Sequence, residues 1–263
     1  MVLTSAQNPR IKHLLLLQQK SSQRRADGLF VVEGRREVEH CLSMGYTIRT
    51  AYICQEIAEA PLCLPKGIEQ VFVSRKVYER IAYRGTTEGI VAEVVAKEKR
   101  LADLLLSSSP LIVVLESVEK PGNLGAVLRS ADAAGADAVI VCDPLTDLYN
   151  PNLIRSAVGA FFTVPCVACS TTECIQFLKE KGVQILTAQL QDSSLYYDTP
   201  MTGPTAIVMG TEATGLTQQW RNAADAHIRI PMLGRLDSLN VSVSAAILLF
   251  EAVRQRQSMG QKG

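Results

Sequence analysis

The chain of 263 residues is 47% hydrophobic with a net charge of +1, long enough for two modest domains with cores of their own. No apolar run approaches the roughly 18 residues of a bilayer span, and the four leucines before Gln18 are too few for a secretory signal core. Seven cysteines, an odd count without a paired framework, fit a reducing compartment and predict a cytoplasmic protein without a membrane partner.

The first part reads as a small α/β domain. Pro9 to Gln19 has helical periodicity, and LFVVEG (29–34) is a strand ending in a turn glycine. A helix from Arg35 to Met44 is closed by Gly45. Strands follow at 48–54 and 69–73, a helix at 74–82 and a strand at 89–95. These elements predict a domain over residues 1–96, with KEKR and SSSP marking a linker at 97–109. Charge is uneven along the chain: residues 1–100 carry +5 and the remainder −4. Arg10, Lys12, Lys20, Arg24, Arg25, Arg35 and Arg36 face only Asp27 and Glu33. Such a cluster can neutralise phosphates, and it reads equally as a solvated helix face.

From residue 110 to 263 strands and helices alternate. PLIVVLESV is a fully apolar strand, followed by a helix over 123–134 and the strand ADAVIVC. A helical PNLIRSAVGA, a strand FTVPC and a helix at 171–181 come next. Strands at 183–189, 205–209 and 227–231 lead to a last helix over 240–256, whose apolar run reads as buried. Apolar strands separated by helices imply a parallel sheet covered on both faces. CVAC (166–169) with Cys174 nearby has the look of a metal motif. His13, His40 and His227 lie far from it, however, and four ligands are needed, so the thiols are read as buried and no metal is expected.

Three segments depart from ordinary core sequence: PGNLGAVLRSADAAGA (121–136), IVMGTEATGL (207–216) and IPMLGRLDSLNVSVSAA (230–246). In the first, Asn123 is a plausible N-cap, and at 100° per residue Gly125, Arg129 and Asp132 share a face. An Arg129–Asp132 pair on an exposed helix explains that face as well as a site does. The second ends an apolar strand with two glycines five apart and Glu212 between them. Their freed amides can hold a small molecule or simply make a turn. The GxGxxG of a dinucleotide fold is missing, which argues against a nicotinamide-dependent dehydrogenase. In the third, Ser238 and Asn240 stand at the mouth of a helix and need partners, which capping or a ligand could supply.

Taken together and in this order, the segments resemble the three signature motifs of the SpoU (TrmH-type) branch of the SPOUT RNA methyltransferases. NPRIKHLLLL…FVVEG is similar to the substrate-binding domain often found before them. The resemblance implies a C-terminal parallel-sheet domain with a deep trefoil knot, preceded by a small RNA-binding domain. The implied activity is methylation of a ribose 2′-hydroxyl in structured RNA with S-adenosyl-L-methionine. Ribosomal RNA is preferred, with transfer RNA or a non-catalytic RNA-binding role as alternatives. Met209, Gly210, Gly215, Ile230, Met232 and Leu239 would hold the cofactor. Arg129 would be the catalytic group, as a transient base or as a phosphate clamp, since a free guanidinium with a pKa above ~12 is a poor base. Asn123, Glu212, Ser238 and Asn240 would position the ribose or its neighbours. A homodimer is implied, with motif residues of both copies approaching one site. One departure is Ala157, where relatives often carry serine, with Ser156 adjacent.

Overall fold

The structure, a computed structural model, describes residues 2–59, 63–83, 88–211, 214–235 and 237–260. Its first elements are β1 (Val2–Leu3), α1 (Pro9–Gln19), α2 (Ser21–Asp27), β2 (Leu29–Glu33), α3 (Arg35–Ser43), β3 (Ile48–Ile53), β4 (Glu69–Val73), α4 (Arg75–Ile81) and β5 (Ile90–Val95). Then come β6 (Leu111–Glu116), α5 (Pro121–Ala133), β7 (Ala138–Cys142), α6 (Pro151–Ala157), α7 (Ala160–Thr163), β8 (Cys166–Cys169), α8 (Thr171–Glu180) and β9 (Gln184–Ala188). The last are β10 (Ser194–Leu195), β11 (Thr205–Met209), α9 (Gln218–Ala223), β12 (Ala226–Arg229) and α10 (Val241–Gly260). Two compact units result, Met1–Glu98 with Asp147–Thr163, and Lys99–Thr146 with Val164–Gly263.

The first unit holds a five-stranded mixed sheet in the order β1-β4-β3-β5-β2, with β5 antiparallel to both its neighbours. Asn8 caps α1 by accepting from the Arg10 amide at 2.9 Å, and Ile11, Leu14 and Leu17 turn one apolar stripe into the core. Helix α2 has no apolar face to announce it. Its one buried residue is Arg24, which donates to Asp147 at 2.6 Å and to the Leu17 carbonyl at 2.6 Å. Arg10 pairs with Glu69 and Arg35 with Glu39. The basic cluster of the sequence is therefore partly engaged within the unit instead of forming one free patch.

Residues 147–163 join this unit through rings and hydrogen bonds. Tyr149 lies 4.5 Å from Phe30 and Phe162 lies 5.2 Å from Tyr46, centroid to centroid. The Tyr149 hydroxyl also donates to the Lys97 carbonyl at 2.5 Å. The same packing explains a difference from the expected strand FTVPC. Phe161 and Phe162 are drawn into a helical turn, and Pro165 has no N–H for a ladder, so the strand starts only at Cys166.

The second unit is built on a seven-stranded, all-parallel sheet in the order β10-β12-β9-β11-β6-β7-β8. Ile112, Val114, Ile140, Val208 and Trp220 contribute to one core face. Helix α5 starts two residues before the sequence suggests. Pro121 occupies its first turn, Lys120 is the N-cap, and no side chain caps it. The ring of Pro121 pre-sets φ for the helix and lacks an N–H that would go unsatisfied there. Asn123 is thus not the N-cap. Helix α10 buries Val241, Ala245, Leu248, Leu249 and Ala252, an i, i+4, i+7, i+8, i+11 stripe. Its opposite side leaves Val243 46% and Phe250 48% exposed, so the helix is amphipathic where the sequence suggested full burial. Arg256 fixes its far end, donating to the carbonyls of Ser109, Pro110, Met201 and Gly203. Burial lowers the pKa of this guanidinium.

Candidate active site

In parallel α/β sheets, ligands bind outside the carboxyl ends of the strands. In the second unit that edge is set by register: Met209 of β11 is paired with Leu115 of β6, and Ile228 of β12 with Ala188 of β9. The loops that leave this edge carry the second and third motifs. After Met209 the chain turns at once, with Thr211 and Gly215 exchanging backbone hydrogen bonds of 3.3 and 3.1 Å. A Cβ on Gly210 would stand 2.2 Å from the Gly215 carbonyl oxygen, so only glycine permits this closure. Glu212 lies outside the described residues.

The base of the turn is tied down by a residue the sequence reading passed over. Glu116, at the end of β6, is 2% exposed. It accepts from the Thr217 amide at 2.8 Å, the Thr217 hydroxyl at 2.7 Å and the Thr171 hydroxyl at 3.4 Å. A carboxylate closing an apolar strand was the available signal, because buried charge demands such partners.

A cavity of about 310 Å³ opens at this edge, and all six expected cofactor residues line it: Met209, Gly210, Gly215, Ile230, Met232 and Leu239. Ser238 lines it too. Sequence reasoning missed Gln189 and Arg221, which also face it. The Oε1 of Gln189 and the Nε of Arg221 are buried without a hydrogen-bond partner among the described residues, the condition of groups that meet a polar ligand. Gln189 directly follows β9, the position where a parallel sheet presents ligand contacts. Arg221 sits on the unpredicted helix α9.

A second cavity of about 140 Å³ adjoins the first and shares Gly210, Thr211 and Val241 with it. Glu119, Lys120 and Asn123 form its other side. Here the first and third motifs meet, since the Asn240 amide donates to Asn123 Oδ1 at 3.2 Å. Asn240 also caps α10, its Oδ1 accepting from the Ser242 amide at 2.9 Å. Capping and site formation are thus done by one side chain. Arg129 is exposed on α5 and lines neither cavity. It makes no ion pair among the described residues, so the Arg129–Asp132 pair allowed by the spacing does not form there.

Away from these cavities, the sulfurs of Cys142, Cys169 and Cys174 lie within 4.8 Å of one another. Spacing alone hides this, because Cys142 comes from β7 and is the register partner of Cys169 on β8. Thiol hydrogen bonds from Cys142 and Cys174 pull the Cys169 pKa well below the usual thiol range. Burial pushes Cys166 up to about 11.

Fold and cavities together define an α/β protein whose second unit, on a parallel sheet, carries a glycine-lined cleft beside a smaller cavity. Residues 110–250 match the SpoU rRNA Methylase family, and residues 8–92 match the MRM3-like substrate binding domain. The chain belongs to the SpoU family. It is 30% identical to the 23S rRNA (guanosine(2553)-2′-O)-methyltransferase RlmP of Bacillus subtilis, over 94% of this chain and 96% of that one. An RNA 2′-O ribose methyltransferase structure superposes with a TM-score of 0.86 at 38% identity, covering 98% of this chain and all, 100%, of the other. The AdoMet-bound rRNA methyltransferase of Sinorhizobium meliloti gives 0.88 at 30% identity, with 97% of each chain covered.

Proposed function

We propose that this protein methylates a ribose 2′-hydroxyl of ribosomal RNA with S-adenosyl-L-methionine. The observation that carries the reading is the convergence of the three motifs, with the Asn123–Asn240 hydrogen bond set beside Gly210 where the two cavities share a wall. The larger cavity suits the cofactor. Met209, Ile228, Ile230 and Leu248 give it apolar walls, Gly210 lets the backbone come close, and the unpartnered atoms of Gln189 and Arg221 wait for polar groups. When bound, S-adenosylmethionine supplies a methyl group activated on a sulfonium. Mostly apolar walls suit such a donor, because a cluster of carboxylates around it would chiefly stabilise the charged ground state; Asp237 is the carboxylate among the described lining residues.

The smaller cavity would take the acceptor sugar, with Asn123 and Asn240 orienting the ribose and Ser238 and Glu212 positioning their neighbours. Arg129 would act on the RNA as a phosphate clamp or transient base, its forked guanidinium suiting the first role. Because Arg129 projects from α5 outside both cavities, it would serve the site of a second copy in a homodimer. The half-exposed Val243 and Phe250, seven residues apart on α10, support such an interface. The order β12-β9-β11-β6, with the loops after β11 and β12 meeting at one cleft, supports the trefoil knot expected of the resemblance. The domain assignment is residues 1–96 for gripping RNA, a linker at 97–109 and residues 110–263 for catalysis, with residues 147–163 of the last packing in the first unit. A cytoplasmic location follows from a ribosomal substrate, and the described helices include none long and apolar enough to cross a membrane.

The test is Arg129→Ala, assayed by transfer of labelled methyl groups to a 23S rRNA transcript and by calorimetry with S-adenosylmethionine. Transfer should fall at least 100-fold while cofactor affinity stays within about twofold. Retained transfer removes Arg129 from the mechanism, and no transfer by the unaltered protein refutes the function itself.

A further inference from the structure

The basic cluster near the amino terminus does not survive folding as one patch, since Arg24 is 5% exposed and held by Asp147. The first unit instead assembles another positive surface from segments distant in sequence. A cavity of about 450 Å³ is bordered by Gln18, Arg80, Tyr83, Asn150, Asn152 and Arg155, among others. It has a built frame. Asn150 caps α6 by accepting from the Asn152 amide at 2.9 Å. Asn152 Oδ1 accepts from Arg155 at 2.7 Å, and Arg155 then lies over the Tyr83 ring, 3.5 Å from its centroid. Tyr83 is itself pinned, its amide donating to both oxygens of Glu33 at 3.1 Å. Its ring nevertheless stays on the surface, the residue being 61% exposed. Among the described residues neither Arg80 nor Arg155 is paired with a carboxylate.

An exposed aromatic ring backed by a guanidinium, with a second arginine beside it and amide side chains at the rim, has the chemistry that receives unpaired nucleotides. Bases stack on aromatic and guanidinium planes, arginines take phosphates, and amides read base edges. We propose that this cavity holds one unpaired nucleotide of the RNA, its base stacked on the Tyr83–Arg155 pair and its phosphate met by Arg80 and Arg155. The assignment rests on the reading that the protein works on RNA, and it gives the first unit a recognition point of its own.

The experiment measures binding of a fluorescein-labelled single-stranded 12-nucleotide RNA to the full-length protein by anisotropy at several KCl concentrations. Tyr83→Ala should weaken binding roughly tenfold or more, the worth of one stacked base, and Tyr83→Phe should stay near wild type. Combining Arg80→Gln with Arg155→Gln should lower the slope of log K against log salt by about 0.7 for each phosphate no longer neutralised, on single-stranded RNA. S-adenosylmethionine affinity, read by calorimetry in every variant, should be unchanged and reports an intact fold. Wild-type protein that does not bind the RNA, or a Tyr83→Ala variant within twofold of it, overturns the proposal, as does an unaltered salt slope in the double variant. Methyl transfer is scored separately. A protein that binds RNA through Tyr83 without transferring methyl groups loses the proposed activity and keeps this site, and the converse result loses only the site.

Discussion

Gly210→Ala isolates the backbone turn on which the larger cavity depends. The added Cβ would lie 2.2 Å from the oxygen and 2.3 Å from the carbonyl carbon of Gly215, and 2.6 Å from the Leu216 nitrogen. Ordinary carbon contacts begin near ~3.5 Å, so the facing strand of the loop must retreat by roughly 1 Å. Both obstacles are backbone, and no rotamer change relieves them. The two Thr211–Gly215 backbone hydrogen bonds, already 3.3 and 3.1 Å long, would break, at about 1 kcal/mol each. Gly210, Thr211, Gly215 and Leu216 all line the cavity, so the damage falls on the surface proposed to hold the cofactor. A penalty of about 2–3 kcal/mol corresponds to a roughly 30- to 150-fold weaker affinity. Titration calorimetry with S-adenosylmethionine reads this directly, and a thermal melt without ligand separates it from general instability. Leu216, beside the clash, is part of the core, so the melting temperature should drop too, by roughly 2–4 °C per kcal/mol lost, and affinity is compared at a temperature where both proteins are folded. A variant that binds the cofactor within twofold of wild type would refute the argument that this closure shapes the pocket.

Two further outcomes follow from buried groups. Replacing Glu116 by Gln turns an acceptor for three donors into a group that must itself donate, so urea unfolding should show a loss of about 2 kcal/mol or more. A change below about 0.5 kcal/mol would mean that Glu116 does not anchor Thr217. The thiol cluster has a pH signature: the depressed pKa of Cys169 keeps it a thiolate at acidities where Cys166, raised to about 11, is protonated. Iodoacetamide at pH 6 should label Cys169 well before Cys166, as mapped by peptide mass spectrometry, and equal rates would contradict the hydrogen bonding among the three sulfurs.

Much of the architecture was legible because the strands of the second unit are buried on both faces and read as continuous apolar runs. ADAVIVC and PLIVVLESV are short, rich in β-branched residues and flanked by turn residues, which favours strands over buried helices. The elements that escaped had no periodic face. Helix α2 buries only an arginine, and α9 buries only Trp220. Chain ends of elements were misjudged where proline chemistry and packing compete: at Pro121, which starts α5 early, and at Pro165, which delays β8. In the site, glycine and amide residues stood out as anomalies in a core-like sequence, so the lining of the larger cavity was readable from its motifs. Gln189, Arg221 and Glu116 were not, because each is unremarkable alone and becomes informative only when the sheet order sets the ends of β9, β11 and β6 side by side. The same holds for Tyr83 and Arg155, which no local pattern connects.

The Asn240 side chain carries a further constraint on the smaller cavity. Which end of an amide is oxygen is settled by its partners, and here one partner is unambiguous. The Ser242 backbone N–H can only donate, so the atom 2.9 Å from it must be Asn240 oxygen. The nitrogen of Asn240 therefore faces Asn123, and because it can only donate, the Asn123 atom 3.2 Å away must be oxygen. The cap of α10 therefore fixes which end of the Asn123 amide is oxygen and which is nitrogen, at the wall of the small cavity that Glu119 also lines. The capping requirement of α10 thereby dictates, through two amides, how the Asn123 side chain is turned on α5.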